Sequence, residues 1–132
     1  MNDTRALLLV ATLTVTSAVL SAHHSAAAYA SSSIVLKNAT VTDVVWANPH
    51  TILTFSVKNA KGEVTTWRAE SGSPSAQTRV GWNRNSVKAG DVVTIELFPA
   101  RNGAAVGRLA KVIYPDGREL LDSQSSRERP GQ

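Results

Sequence analysis

Residues 34–46 read IVLKNATVTDVVW, and this run constrains the fold more than any other part of the chain. It is rich in β-branched residues, which favour extended backbone, and it is long for one strand. Its apolar side changes partway: Ile34 and Leu36 share one face, while Val41 and Val45 fall on the other. Side chains alternate strictly along a strand, so a flat strand cannot hold both pairs in one core. A bulge or bend must intervene.

The rest of the chain supplies short strands to pair with it. NPH at 48–50 carries turn chemistry. Thr51 to Lys58 then alternates, with Leu53, Phe55 and Val57 facing one way and Thr54, Ser56 and Lys58 the other. NAKG at 59–62 suits a hairpin turn, so Glu63 to Glu70, EVTTWRAE, pairs back as a third strand. In SGSPSAQTRVGW, Ser73 is a candidate N-cap, Pro74 fits the first helical position and Gly81 is a stop. This predicts a helix of about two turns with Ala76 and Val80 on one side. KAGD at 88–91 leads into Val92 to Phe98, the clearest buried strand. After the RNGA loop at 101–104, Arg108 to Tyr114 makes a fifth strand. PDG at 115–117 turns, and REL adds a brief sixth.

Three strands, a short helix and two further strands is the order of a small, mainly β, OB-like Greek-key barrel of five to six strands, spanning 34–122. A β-sandwich would want more strands than this. From Ser123 the chain reads SQSSRERPGQ, a polar stretch without apolar period, expected to be a disordered tail over 123–132.

The first residues look like an export signal. Met1 to Arg5 is short and polar with one basic residue, and Ala6 to Leu20 is uncharged and mostly apolar. That length suits a signal peptide over 1–22 and is short for a membrane span with conventional flanks. A periplasmic or secreted monomer is expected, with no stable membrane span once the signal is removed. The chain has no cysteine, so the core must close by burial alone, and thiol chemistry and zinc–thiolate sites are excluded. The formal net charge is +4, but Lys37, Lys58, Lys61, Arg68, Arg79, Arg84, Lys88 and Arg101 are scattered, which argues against nucleic acid as a partner.

AHHSAAAYA at 22–30 holds two of the three histidines. Cleavage after Ala22 would start the mature chain His-His-Ser, with an α-amine and an imidazole on one residue. Cleavage one residue earlier would place His24 third, so that an amine, two backbone amides and an imidazole could surround one ion. Both arrangements suit Cu(II), which heads the divalent affinity order and accepts planar nitrogen geometry. Cleavage after Ala30 would discard both histidines, and Ala28-Tyr29-Ala30 obeys the A-x-A pattern well. His50, in the loop between the first two strands, is a candidate third ligand or a turn-stabilising side chain. The candidate metal set is therefore His23, His24 and His50.

Of Trp46, Trp67 and Trp82, core positions are expected for all but Trp82, which follows Gly81 just beyond the helix. Trp82, Arg84 and Asn48 form the candidate ligand face of a metal-free alternative, a binding or scaffolding module for an envelope protein or glycan. There is no G-x-S-x-G, no H-E-x-x-H and no phosphate loop. A barrel this small is expected to offer little substrate cleft, and no enzyme emerges.

HHS at 23–25, WANPH at 46–50, GSPSAQTRVGWNR at 72–84, KAGD at 88–91, ARNGAAVG at 100–107 and YPDGREL at 114–120 occur in that order. With these pieces the chain resembles a family of small exported bacterial proteins of unknown function, whose members read HHSF near the mature start. The resemblance implies an exported OB-like barrel, a mature protein that retains HHS, and no established activity. Ala26 stands where members carry an aromatic residue, and the segment to Ser33 is otherwise small residues and Tyr29. A looser amino-terminal segment is expected from that difference.

Overall fold

The computed structural model describes residues 28–127. The expected signal segment, His23, His24 and residues 128–132 lie outside them. The elements are β1 (Ile34–Val45), β2 (Ile52–Lys58), β3 (Val64–Glu70), α1 (Pro74–Thr78), β4 (Val92–Pro99), β5 (Val106–Ile113) and β6 (Glu119–Leu121). They form one sheet ordered β3-β2-β1-β4-β5-β6, and β3 pairs with β5 as well. Strands β1 to β5 thus close into a barrel, with β6 added beside β5. This is the anticipated mainly β, OB-like barrel with one short helix.

The bent first strand is the frame. Its register against β4 shifts between Leu36 and Ala39, where Asn38 takes a positive φ of 53°, a conformation Asn tolerates better than most residues. A second shift, between Val41 and Asp43, falls against β2. The inward face therefore switches twice. Ala39 and Val41 are buried, and past the second bulge Val44 packs on the core while Val45 is 45% exposed. The sequence pattern placed Val45 inside; one residue of slip at the bulge turns it out.

Inside the barrel, Val41, Leu53, Phe55, Ile95, Leu97, Leu109 and Val112 are almost wholly buried. Each contributes about 1.5–3 kcal/mol by leaving water, which is how the domain closes without disulfides. Trp46 and Trp67 pack against this core. Trp82 belongs to it: the residue is 2% exposed, and its indole N–H donates to the Leu121 carbonyl at 2.8 Å.

Closure rests on three residue pairs. Arg68, Ala69 and Glu70 of β3 lie parallel to Val106, Gly107 and Arg108 of β5. Gly107 also faces Pro99 across the β4–β5 ladder, so backbone crowds it on both sides. A Cβ there would stand 2.6 Å from Leu97 Cδ1 and 2.8 Å from the Phe98 carbonyl oxygen. Only glycine lets β5 pass this corner.

The region between β3 and β4 is locked to the carboxyl-terminal segment. Ser73 caps α1 as expected, accepting from the Ala76 N–H through its side chain. The helix is shorter than anticipated, five residues, and its buried residue is Gln77 rather than Ala76 or Val80. Gln77 Oε1 accepts from the Ser123 N–H at 2.8 Å. The buried Asp122 carboxylate accepts from Ser71 Oγ at 2.8 Å, the Gly72 N–H at 3.0 Å and the Gln124 N–H at 2.9 Å. The polar composition after Leu121 suggested a tail starting at Ser123. Instead Ser123 is buried, and residues 123–127 form turns, because these polar groups find partners in the lock.

Two substitutions probe these features. Gly107→Ala is expected to lower the unfolding free energy by about 1–3 kcal/mol through overpacking at the seam, read from urea unfolding. Asp122→Ala strands two buried donors and is expected to cost about 3 kcal/mol, with a matching fall in the urea midpoint and an unchanged slope.

Candidate functional site

A cleft of about 820 Å³ opens along the seam where β3 meets β5. Its walls include Tyr29, Pro49, His50, Arg68, Glu70 and Arg101. This is a larger opening than the chain length led us to expect.

His50 reaches the cleft through the β2–β3 ladder. Ile52 pairs with Glu70, and the pairing runs on past the strand ends, with the Ser71 N–H donating to Thr51 O at 2.9 Å and the Thr51 N–H to Gly72 O at 3.0 Å. The preceding Asn48–Pro49 bond is cis. His50 Nδ1 lies 3.2 Å from the Ser71 carbonyl. A carbonyl only accepts, so Nδ1 carries the hydrogen in this contact, and Nε2 is left to face the cleft. Nε2 stands 3.2 Å from Glu70 Oε1, and since a carboxylate only accepts, the two attract as a pair when Nε2 also carries a hydrogen. The His50 side chain is 42% exposed. A pair this open to water contributes little to stability, about 0–1 kcal/mol.

Tyr29 completes the group. Its phenol donates to the second carboxylate oxygen, Glu70 Oε2, at 3.2 Å. Burial holds the phenol above its ordinary pKa, and the Glu70 charge and hydrogen bond raise it further, with the Arg108 charge in part opposing. The phenol therefore keeps its proton at neutral pH and orients Glu70 rather than competing with it for cations.

The segment carrying Tyr29 is fastened to the barrel, against the looseness expected of it. Tyr29 forms a β-bridge with Ala100. The Ala30 N–H donates to Pro99 O at 2.8 Å and the Arg101 N–H to Ala28 O at 3.1 Å. Arg101 Nε donates to Tyr29 O at 2.7 Å. Three hydrogen bonds, each accepted by a backbone oxygen, hold residues 28–30 in place.

The other candidates are not gathered here. Trp82 is in the core and has no free ring face for a ligand. Arg84 is exposed in the loop after it, and neither lines the cleft. Asn48 is exposed next to Pro49, at the rim but outside the lining. His23 and His24 lie outside the described residues. Glu70 and Tyr29 were passed over in the sequence, since neither belongs to a recognisable motif. The hairpin register was the signal available: pairs counted outward from the Asn59–Gly62 turn bring residue 70 beside residues 50–52.

Chemically, the cleft offers one imidazole nitrogen and one carboxylate side by side, oriented by a backbone carbonyl and a phenol, with Arg68 and Arg101 on its walls. Among the described residues no cluster of three or more His, Asp or Glu side chains is placed to hold a metal ion. No helix among them is long and apolar enough to cross a membrane.

The model of a family of unknown function (DUF6152) matches residues 10–109 of the chain, and the chain belongs to that family. No curated protein and no solved structure matches it.

In the metal-free protein, Tyr29 can be titrated alone in a Tyr114→Phe background, since the chain has two tyrosines. Tyrosinate absorbance is expected to rise with a midpoint above the ordinary 10.0. Glu70→Gln should bring that midpoint down while leaving it above ordinary, because burial is the larger cause. The folded pKa is the raised one, so this contribution to stability is complete below the ordinary value and is lost as pH climbs through the folded pKa.

Proposed function

We propose that this family member is an exported β-barrel that binds Cu(II) at the cleft. His50 Nε2 supplies one ligand, and the amino terminus with His23 and His24 supplies the others. The observation that carries this reading is that Ala28 and Tyr29 line the same cleft as His50. His24 lies four residues before Ala28 in the sequence. At ~3.5 Å of reach per residue, four residues extend up to about 14 Å from Ala28.

The fastening of residues 28–30 supports a mature chain that begins upstream of them. A cut after Ala30 would remove Tyr29, its hydrogen bond to Glu70 and the bridge to Ala100. A cut after Ala22 keeps these and leaves an α-amine beside two imidazoles. Neutral imidazole and amine nitrogens in a planar set are the donors Cu(II) prefers. The hydrogen on His50 Nδ1 is fixed by the Ser71 carbonyl, which orients the ring as metal-bound histidines are usually oriented. The site serves to carry, buffer or sense copper in the periplasm or outside the cell.

A second reading is metal-free binding of a small envelope ligand or of a segment of a protein or glycan partner. It is favoured by the cleft volume of about 820 Å³ and by the guanidinium groups of Arg68 and Arg101 at its walls.

The test begins with the intact mass of protein recovered from the periplasm with its own leader, expected to start at Ala22 or His23. Competition titration with CuCl₂ should then show tight one-to-one binding. His23→Ala/His24→Ala should abolish it, and His50→Ala should weaken it by about tenfold or more. A start at Ser31, or copper affinity indifferent to all three histidines, would leave the metal-free reading.

A further inference from the structure

We infer that Glu70 is a metal ligand, giving the barrel a preformed imidazole–carboxylate half-site that receives the ion beside His50. The inference rests on the copper reading above and adds to it a residue from the barrel wall.

The argument is geometric. Two donors each ~2.1 Å from one ion stand about 3.0 Å apart at a right angle and about 3.4 Å apart at the tetrahedral angle. The distance from His50 Nε2 to Glu70 Oε1 is 3.2 Å, inside that interval, so the spacing admits one ion shared by the two atoms in place of a hydrogen on Nε2. Each donor is also held from behind. The Ser71 carbonyl takes the hydrogen of His50 Nδ1, and the Tyr29 phenol binds the far oxygen of Glu70. Oriented hydrogen bonding of this kind to the non-ligating atoms is the usual support of a metal site.

Placement points the same way. Both side chains line the one cleft, together with Tyr29, so the ion would be reached from solvent and from the amino-terminal side. A carboxylate also does what histidines alone cannot. Its negative charge offsets in part Arg68 and Arg101 on the walls and Arg108 near Tyr29, which otherwise repel a cation from this cleft. Mixed nitrogen and oxygen donors in a tetragonal set remain within the preference of Cu(II).

The experiment compares the mature protein, beginning with its two histidines, with Glu70→Gln and Glu70→Asp, each stripped of metal and shown folded by circular dichroism. CuCl₂ is titrated against a competing chromophoric chelator, and the electron paramagnetic resonance spectrum of the one-to-one complex is recorded. Glutamine keeps the shape and removes the charge; aspartate keeps the charge and withdraws the oxygen by one methylene. Ligation predicts that both variants lose about tenfold or more in affinity and that the spectrum changes from a mixed nitrogen–oxygen set toward nitrogen donors alone. Loss with glutamine but not with aspartate would mean attraction at a distance and would overturn ligation. Wild-type binding sensitive to His50→Ala but untouched by both Glu70 variants would overturn the Glu70 assignment and leave the histidine site standing. No tight copper binding by the wild type would overturn both.

Discussion

The short parallel contact between Arg68–Glu70 and Val106–Arg108 is the interaction on which the rest of this molecule depends. Three pairs close a five-stranded barrel that β1, for all its length, could only curve. The contact is possible because residue 107 lacks a side chain, allowing β5 to pass between the Phe98 backbone and β3. The same seam creates the cleft. A barrel closed by longer pairing would have filled this space with ladder. Here β3 and β5 meet only briefly, and the gap beyond their meeting is walled by Arg68, Glu70 and Val106 together with the amino-terminal segment. Fold closure and site formation are therefore one event.

What occupies the seam follows from pairing rather than from motif. Glu70 is the last residue of β3, and His50 precedes the first of β2, so the hairpin ladder places them diagonally across its open end. Ser71 and Tyr29 then fix the two side chains from opposite sides. The His50–Glu70 contact is too exposed to matter much for stability, and the fold would close without it. Its surroundings nonetheless hold it in one geometry, with the imidazole hydrogen committed to a backbone carbonyl. Four groups with modest individual energies give a fixed pair of donor atoms, which is the sort of preorganisation that binding requires and folding does not.

Much of the architecture was legible in the chain because it is written locally. Turn chemistry at NAKG, KAGD and PDG separates strands whose alternation names their inner faces, and the change of face in IVLKNATVTDVVW forces a bend. What was not legible depends on contacts distant in sequence. The second bulge of β1 has no signature beyond Val44 and Val45 being interchangeable by type, so the inner of the two could be known only from the register with β2. Trp82 follows a glycine and a helix end, a position that favours exposure, yet the carbonyl of Leu121 gives its indole a buried partner. Gln77, Asp122 and Ser123 are polar residues in polar surroundings, and their burial follows from the bonds of Gln77 Oε1, the Asp122 carboxylate and the Ser123 N–H, with Gln77 Nε2 left without a protein partner among the described residues.

That lock bears on how the recognisable pieces of the sequence should be divided. Trp82 in the GW segment was a candidate ligand residue, but Ser71, Gln77 and Trp82 are buried or nearly so and, with Gly72, hold the chain after Leu121 against the helix. In a domain with no disulfide, this network fastens the carboxyl-terminal segment to the turn after β3, and the turn in turn sets Ser71, whose carbonyl orients His50. Ser71 is thus the link between the two halves of the molecule: its hydroxyl is bound to Asp122 and its carbonyl to the imidazole at the cleft. Trp82 has a structural place, and the network around it reaches the cleft through the Ser71 carbonyl. The side chains that face the cleft come instead from strand ends and from the amino-terminal segment, where His50 belongs to WANPH but Glu70 and Tyr29 belong to no motif. A search by motif finds the support and, in WANPH, His50, and passes over Glu70 and Tyr29, the residues that line the cleft beside it.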